Sequence, residues 1–208
     1  MITGKTKLLG VIGAPIAHSL SPIIQNAALH AAGLDYVYAA LPVRAGALAS
    51  AVHGLRDAGY MGFNVTIPFK TEIIPLMDDL SEDARRIQAV NTVAIEGGRM
   101  IGHNTDAAGF LAGLTERNIA IAGKRAVLIG AGGAARAALW GLLRSGVSSI
   151  VIGVRNAAKG AYAAWAREWR SQRILRQTEM CVHSPSTILH FVSLFVLQIS
   201  LCRQRLSA

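Results

Sequence analysis

Short apolar runs alternate with longer, alanine-rich segments in the first part of the chain. The runs LLGVIG, YVYAALPV and GFNVTI are rich in the β-branched and aromatic residues typical of strands. The segments IIQNAALHAAG and GALASAVHGLRDAG, which lie between them, have the length and composition of helices. Because the two types alternate, the pattern predicts a β-α-β-α-β unit in which helices cover a sheet.

Two further groups of elements follow this unit. The pattern predicts a helix over Asp79 to Gln88, and then a hairpin in which NTVAIE and RMIGHN flank Gly97 and Gly98. After Gly123 a second α/β unit begins, with the strand RAVLIG, the helix AARAALWGLLRSG and the strand SSIVIGV. Two consecutive α/β units predict two lobes with a cleft between them, residues 1–105 and 106–165.

The pattern changes in residues 166–208, which we expect to form a separate, atypical tail. The stretch WAREWRSQRILRQTEM predicts a basic helix, and the apolar stretch from Ile188 to Leu201 does not return to the alternation. That apolar stretch is about 14 residues long, whereas a membrane-spanning helix needs about 20. It also contains His190, Ser193 and Gln198. We therefore expect a buried segment and no contact with a membrane.

Composition and charge narrow the classes of function. The chain has 208 residues, of which 52% are hydrophobic and 16% charged, so we expect a globular protein with a sizeable core. The formal net charge is +9, but the basic residues are scattered rather than gathered with aromatic residues on one element, which argues against a nucleic-acid binder. The positive excess suits a small anionic substrate or a phosphate-bearing cofactor.

The cysteines and the N-terminus indicate a cytoplasmic protein. Cys181 and Cys202 have no CxxC spacing, so they predict neither a disulfide framework nor a zinc site, and we expect no metal. The N-terminus MITGKTKLLGVIGAP lacks a long apolar region followed by a small-residue cleavage site, so we expect no signal peptide.

A glycine-rich turn lies between the predicted strand RAVLIG and the helix after it. The motif G-x-G-x-x-G/A is satisfied by consecutive residues, Gly130, Ala131, Gly132, Gly133, Ala134 and Ala135. In this motif the first glycine permits the tight turn, the second lets the backbone approach a pyrophosphate, and the third small residue lets helix and strand pack. The helix start adds N–H donors, so the turn predicts a dinucleotide site. A tight turn without a ligand is the alternative.

The residues after the second strand of that unit bear on the choice of cofactor. A NAD site has an acid about 20 residues beyond the glycines, but Ile150 to Gly160 contains none. The chain instead has Arg155 and Asn156, with Lys159 nearby, and an arginine at a strand end would pair with a 2′-phosphate. We therefore predict NADP; an ordinary surface arginine is the alternative.

Polar side chains follow several predicted elements in the first half of the chain. Ser19 comes just after the first strand, where α/β folds place ligands. Ser21 precedes Pro22 at a helix start, where N-capping is an alternative role. Asn91 and Asp106 add polar groups at the ends of other elements, although an acid in the first turn of a helix also favours the helix dipole.

Lys70 ends the apolar, β-branched run GFNVTIPFK. A strand that finishes at the surface is one explanation. If Lys70 and Asp106 meet in the cleft, each favours the charged form of the other, and beside a substrate hydroxyl the two would act as an acid-base pair. Their spacing in the sequence leaves both explanations open.

Five motifs, in this order and at these separations, resemble the shikimate dehydrogenase family. They are AHSLSP, GFNVTIPFK, AVNTV, GHNTDAAGF and LIGAGGAARA, and the resemblance covers about Leu8 to Lys159. It implies NADP-dependent reduction of 3-dehydroshikimate to shikimate in aromatic amino-acid biosynthesis, the chorismate pathway. It also implies an α/β fold, with an N-terminal α/β substrate-binding lobe followed by a Rossmann-type dinucleotide-binding lobe, which is incomplete in this chain.

The resemblance also implies roles for individual residues. The hydroxyls and carboxylate of the substrate would be held by Ser19, Ser21, Thr66, Lys70, Asn91 and Asp106. Lys70 and Asp106 would be the catalytic pair, with Lys70 transferring the proton at the reacting oxygen. The pyrophosphate would lie on Gly130, Ala131, Gly132, Gly133 and Ala134. The cofactor would also bind Arg155, Asn156 and Lys159, of which Arg155 and Lys159 would recognise the 2′-phosphate.

The chain also departs from the family pattern. Gln88 replaces the usual glycine before AVNT, and the family's later motifs do not follow Lys159. Two explanations stay open: a frameshift near residue 160, or a naturally shortened protein whose tail packs in place of missing strands. The alternative functions are a catalytically impaired remnant that binds shikimate-like ligands, or a quinate/shikimate dehydrogenase relative. We expect a monomer or a homodimer.

Overall fold

The computed structural model describes the backbone of residues 2–154 and 175–179 and the side-chain environment of residues 2–153. These residues form two compact units, of which the first ends at Thr105 and the second begins at Asp106. Each unit combines helices with its own sheet, which confirms the predicted α/β class.

Within residues 2–105, the first unit has a six-stranded sheet. Its elements in chain order are β1 (Lys7–Gly13), α1 (Ser21–Ala31), β2 (Tyr36–Pro42), α2 (Leu48–Asp57), β3 (Tyr60–Val65), a 3₁₀ helix (Ile74–Leu76), β4 (Asp79–Leu80), α3 (Glu82–Ile87), β5 (Thr92–Glu96) and β6 (Arg99–His103). The strand order is β2-β1-β3-β5-β6-β4. The predicted β-α-β-α-β unit and the hairpin around Gly97 and Gly98 are confirmed.

Strand directions bring several strand ends to one edge of this sheet. β1 is parallel to β2 and β3, whereas β5 is antiparallel to both β3 and β6. The carboxyl ends of β1, β3 and β6 and the amino end of β5 therefore share an edge. We term it the ligand edge: the residues that follow β1, β3 and β6 and those that precede β5. Ligands of α/β folds bind outside such carboxyl ends.

An apolar core fixes the register of this sheet. Ile12 of β1, Val52 of α2, Val65 of β3 and Val93 of β5 are all at most 2% exposed. Because successive side chains of a strand point to opposite faces, a slip of one residue would move Val93 out of the core. Packing therefore holds the strand ends of the ligand edge at fixed positions relative to one another.

The helix predicted over Asp79 to Gln88 is shorter in the structure. Its first two residues form β4, which pairs with the edge of β6. The helix starts after Ser81, whose hydroxyl accepts a hydrogen bond from the Ala84 amide at 3.2 Å and so caps the helix. Gln88 ends the helix with φ of +52°. Glycine adopts this left-handed conformation without steric cost, which gives a physical reason for the glycine expected at this position.

The second unit has a parallel sheet in its described residues. Its elements are α4 (Asp106–Glu116), β7 (Arg125–Ile129), α5 (Gly133–Arg144), β8 (Ser149–Val154) and β9 (Leu175–Glu179), with the strand order β7-β8-β9. The predicted strands β7 and β8 and the helix α5 are confirmed. Leu139 and Leu142 of α5 pack with Ile150 and Ile152 of β8 in the core of this unit.

β9 shows that the predicted basic helix in WAREWRSQRILRQTEM is wrong for residues 175–179. These residues are extended and pair in parallel with β8, from Leu175 beside Ile150 to Glu179 beside Val154. The open edge of β8 offers unpaired N–H and C=O groups, and pairing with them overrides local helix preference. The other residues of the stretch lie outside the described part of the chain. The sheet thus gains a third strand where the sequence indicated two.

Among the described residues, the two faces of β7 differ in how far they are buried. Ala126 and Leu128 of β7 pack against the core, whereas Val127 is 71% exposed and Ile129 is 58% exposed. A strand that is apolar on both faces is typical of a sheet covered on both sides. We term the surface formed by Val127 and Ile129 the open β7 face.

Candidate functional site

The ligand edge contains all the substrate-binding residues predicted in the first unit. Ser19 and Ser21 follow β1, Thr66 and Lys70 follow β3, and Asn91 immediately precedes β5. The first four are half-buried and Asn91 is 8% exposed. Partly enclosed hydroxyl, ammonium and carboxamide groups are suited to a small ligand with hydroxyls and a carboxylate.

The two serines lie where α1 begins. Ser21 is the first residue of the helix, and Leu20 is the N-cap, without a side-chain capping bond. N-capping therefore does not explain Ser21. Instead, the Ser19 hydroxyl accepts a hydrogen bond from the Ser21 amide at 3.2 Å. Both serines thus lie at a helix N-terminus, where N–H groups and the helix dipole favour an anion such as a carboxylate.

The turn from Thr66 to Lys70 is anchored along its length. The Thr66 amide donates to the Ile12 carbonyl at 3.0 Å, and the Phe69 amide donates to the Thr66 carbonyl at 2.9 Å. The Phe69 side chain is 3% exposed and belongs to the core. The Lys70 carbonyl accepts a hydrogen bond from the Val90 amide at 2.7 Å. These contacts fix the backbone position of Lys70, whose side chain is half-buried.

Asn91 connects three parts of the ligand edge. Its carbonyl accepts from the Val65 amide at 2.8 Å, and its amide donates to the His103 carbonyl at 3.0 Å. In the side chain, Oδ1 accepts from the Thr105 amide at 2.9 Å, and Nδ2 donates to Thr105 Oγ1 at 2.9 Å. Thr105 thus orients the Asn91 carboxamide.

Asp106 is the first residue of α4 and is 8% exposed. Its place in the first turn agrees with the expectation of an acid that favours the helix dipole. Asp106 belongs to the second unit and Lys70 to the first, so their acid-base pairing stays a prediction.

The glycine-rich turn has the strand-turn-helix context that its motif requires. β7 ends at Ile129, Gly130 has φ of +115°, and α5 begins at Gly133 with Gly132 as its N-cap. A Cβ on Gly130 would lie 3.8 Å from the Ala135 Cβ, and a Cβ on Gly132 would have no atom within 4 Å. Open space over Gly132 beside the N–H groups of a helix start fits a pyrophosphate.

The remaining cofactor residues, Arg155, Asn156 and Lys159, lie outside the described part of the chain. β8, the strand before them, ends at Val154. Their contact with a 2′-phosphate stays a prediction.

The structure adds polar residues to which the sequence reasoning gave no role. Asn64 of β3 donates to Thr92 Oγ1 at 3.0 Å, and the Tyr38 hydroxyl donates to Asn64 Oδ1 at 2.6 Å. The sequence signal that could have indicated such a role is the side-chain amide of Asn64, which lies in the middle of the apolar run GFNVTI. A polar group in a strand interior needs hydrogen-bond partners on neighbouring strands.

Residues 2–154 contain neither a candidate metal-binding cluster nor a helix that could span a membrane. No group of three or more His, Cys, Asp or Glu side chains in this range could hold a metal ion. The helices in this range are all too short or too polar to cross a membrane.

Comparison with known proteins shows which family the unit with the ligand edge resembles. Residues 11–93 match the family model described as the shikimate dehydrogenase substrate binding domain. This range contains Ser19, Ser21, Thr66, Lys70 and Asn91.

Curated relatives extend the match into the second unit. The shikimate dehydrogenase (NADP(+)) of Geobacter metallireducens is 54% identical over 160 residues, which are 76% of this chain and 56% of that protein. The enzyme of the same name from Synechocystis sp. is 42% identical over 196 residues, which are 94% of this chain and 67% of that protein. The chain thus spans between about half and two thirds of the length of these relatives.

A solved structure agrees with the fold. The crystal structure of shikimate dehydrogenase from Aquifex aeolicus has a TM-score of 0.78 and 38% sequence identity, covering 86% of this chain and 65% of that one. The substrate-domain match, the long alignments and the shared fold together show that the chain belongs to the shikimate dehydrogenase family.

Proposed function

We propose that this chain is an NADP-dependent oxidoreductase that reduces 3-dehydroshikimate to shikimate, in the chorismate pathway of aromatic amino-acid biosynthesis. One observation carries the proposal: the ligand edge aligns Ser19, Ser21, Thr66, Lys70 and Asn91 within a unit that matches the substrate-binding domain of this family. The name of the relatives, shikimate dehydrogenase (NADP(+)), supports the same substrate and cofactor.

The side chains of the ligand edge suit this substrate, which has a carboxylate, ring hydroxyls and a ketone. Ser19 and Ser21 lie at the N-terminus of α1, which favours the carboxylate. Thr66 and Asn91 can exchange hydrogen bonds with the ring hydroxyls.

Lys70 is the proposed proton donor. Its ammonium gives a proton to the ketone oxygen as that oxygen becomes a hydroxyl, and takes the proton back in the reverse reaction. The hydrogen bond from the Val90 amide to the Lys70 carbonyl holds the backbone for this role. Asp106 is the proposed partner of Lys70 because a nearby carboxylate favours the charged ammonium. When bound, NADPH supplies the hydride.

The second unit is proposed to hold the cofactor. Backbone N–H groups at the start of α5 and the open space over Gly132 support pyrophosphate binding there. The residues assigned to the cofactor are Gly130, Ala131, Gly132, Gly133, Ala134, Arg155, Asn156 and Lys159.

The open β7 face favours a second candidate, a catalytically impaired protein that still binds shikimate-like ligands. In the part of the chain that the structure describes, Val127 and Ile129 form a mostly exposed apolar surface in the second unit, while the hydrogen bonds described at the ligand edge lie within residues 2–105. A loss of structure in the second unit would therefore impair cofactor binding and leave substrate binding intact. A quinate/shikimate dehydrogenase is a variant of the first candidate that admits one more hydroxyl.

We also propose a cytoplasmic monomer or homodimer that binds no nucleic acid. The scattered basic residues support the last point, since a nucleic-acid site gathers them on one face.

The test is NADPH oxidation by the purified 208-residue protein with 3-dehydroshikimate, compared with NADH and, in the reverse direction, with quinate and NADP⁺. We expect a kcat/KM for NADPH about tenfold or more above that for NADH, since a paired 2′-phosphate adds charge-assisted hydrogen bonds. Shikimate binding is measured on the same preparation by calorimetry, and folding by circular dichroism. Binding without turnover would favour the second candidate. A folded protein with neither would contradict both.

A further inference from the structure

A chain of side-chain hydrogen bonds crosses the sheet of the first unit and ends at Asn91. The Tyr38 hydroxyl of β2 donates to Asn64 Oδ1 of β3 at 2.6 Å. Asn64 Nδ2 donates to Thr92 Oγ1 of β5 at 3.0 Å. The Thr92 hydroxyl donates to Asn91 Oδ1, also at 3.0 Å. We term these four residues the relay.

In each hydrogen bond of the relay, the donor and the acceptor can be assigned in only one way. A backbone amide can only donate, so the Asn91 carboxamide turns its oxygen toward the Thr105 amide. The Thr92 hydroxyl has one proton and gives it to that same oxygen, so it accepts from Asn64. The Asn64 carboxamide must then turn its oxygen toward Tyr38, which donates. Donors and acceptors therefore run head to tail, and neither amide has an equivalent flipped orientation.

The start of the relay is buried and held in its donor form. Tyr38 is 5% exposed and packs with Val11 and Ile16. A phenol with the ordinary pKa of 10.0 already keeps its proton at neutral pH, and burial raises the pKa of Tyr38 further. Asn26 of α1 fixes the backbone of Tyr38: its Oδ1 accepts from the Tyr38 amide at 2.9 Å, and its Nδ2 donates to the Tyr38 carbonyl at 2.8 Å.

From this geometry we infer that Tyr38, Asn64 and Thr92 are positioning residues that, together with Thr105, hold the Asn91 carboxamide in one orientation for the substrate. The inference rests on the proposed function, in which Asn91 binds a substrate hydroxyl. A carboxamide that turned over would offer that hydroxyl an acceptor in place of a donor, or the reverse. The relay therefore acts on substrate binding and not on the proton transfer by Lys70.

Four variants test the relay. Tyr38→Phe removes only the phenol oxygen, and Thr92→Val removes the hydroxyl at nearly constant volume. Thr92→Ser keeps the hydroxyl and is the rescue variant. Tyr36→Phe is the matched control, because it makes the same change on the same strand at a ring that lies over the Lys7 ammonium.

The expected effect is on KM and not on kcat. In Tyr38→Phe and Thr92→Val, the KM for 3-dehydroshikimate should rise about tenfold, while kcat stays within about threefold. Thr92→Ser and Tyr36→Phe should stay within about twofold. The double variant Tyr38→Phe/Thr92→Val should lose no more than the larger single variant, because both cut one chain of bonds. Lower thermal stability with an unchanged KM would mean a purely structural role and would overturn the proposal.

A second readout does not depend on turnover. In isotope-labelled protein, the two side-chain amide proton resonances of Asn91 should shift or broaden in Tyr38→Phe and Thr92→Val, but not in Tyr36→Phe. Unmoved resonances in the first two variants would overturn the relay. If the wild-type protein has no turnover, the proposed function fails, and these resonances still decide whether Tyr38 and Thr92 orient Asn91.

Discussion

The two units of the chain build their candidate sites from different chemical groups. In the first unit, side chains at the ligand edge are oriented by hydrogen bonds between strand ends, as Asn91 is by Thr105. In the second unit, the glycine-rich turn offers backbone N–H groups and open space over Gly132. Side-chain recognition therefore depends on a well-packed sheet around the site, whereas backbone recognition depends on a turn that stays empty.

The sheets that support the two sites also differ in the burial of their apolar side chains. Phe63, Val65 and Val93 of the first unit are at most 3% exposed, while Val127 and Ile129 of the second are mostly exposed. We therefore expect truncation of a buried side chain in the first sheet to lower the free energy of unfolding more than truncation of a side chain at the open β7 face.

The largest effect should come from Lys70→Ala. We expect kcat to fall about 10²- to 10⁴-fold, because the proposed proton donor is lost, while the Kd for shikimate stays within about tenfold. Steady-state NADPH oxidation and calorimetry with shikimate measure the two quantities. Lys124→Ala, an exposed lysine of the second unit, is the control. An unchanged kcat in Lys70→Ala would remove the chemistry from the ligand edge.

Two truncations in the second unit test how far its sheet is covered. Ile150 is fully buried, so Ile150→Ala should lower the free energy of unfolding by about 2 to 5 kcal/mol. Val127→Ala should change it by less than about 0.5 kcal/mol, because that side chain is 71% exposed. Denaturant unfolding measures both. A cost for Val127→Ala close to that of Ile150→Ala would show that the open β7 face is covered in solution.

Substitutions at two glycines distinguish an effect on packing from an effect on cofactor binding. A Cβ at Gly62 would lie 2.5 Å from the Val93 carbonyl oxygen, so Gly62→Ala should lower the free energy of unfolding by about 1 to 3 kcal/mol. Gly132→Ala meets no atom, so stability should change by less than about 0.5 kcal/mol. Its methyl group would occupy the proposed pyrophosphate space, and the KM for NADPH should rise about tenfold. An unchanged KM would argue against that assignment.

The sequence predicted the elements that depend on local pattern. It did not predict strands that form only by pairing with a strand distant in the sequence. Gly97 and Gly98 marked the β5-β6 hairpin because the turn chemistry is local. β4 and β9 were missed, since each is extended only because β6 or β8 offers an edge. The site shows the same division. Residue types at strand ends were visible, but the Asn64–Thr92 bond joins residues 28 positions apart, and no local window contains it.

The smallest effect should appear only at alkaline pH, and it tests how tightly the first unit is closed. Because burial raises the pKa of Tyr38 in the folded state, its contribution to stability is complete below the unfolded value of 10.0 and is lost as pH rises above it. Each pH unit above 10 should cost about 1.4 kcal/mol until the folded pKa is reached. Tyr38→Phe should therefore lose stability more gradually than wild type between roughly pH 10 and 11, with Tyr36→Phe as the control. The part of this slope that Tyr38→Phe removes belongs to the first unit, because Tyr38 lies in that unit. Equal slopes in wild type and Tyr38→Phe would mean that solvent reaches the phenol, and the contrast between a closed first sheet and an open β7 face would be lost.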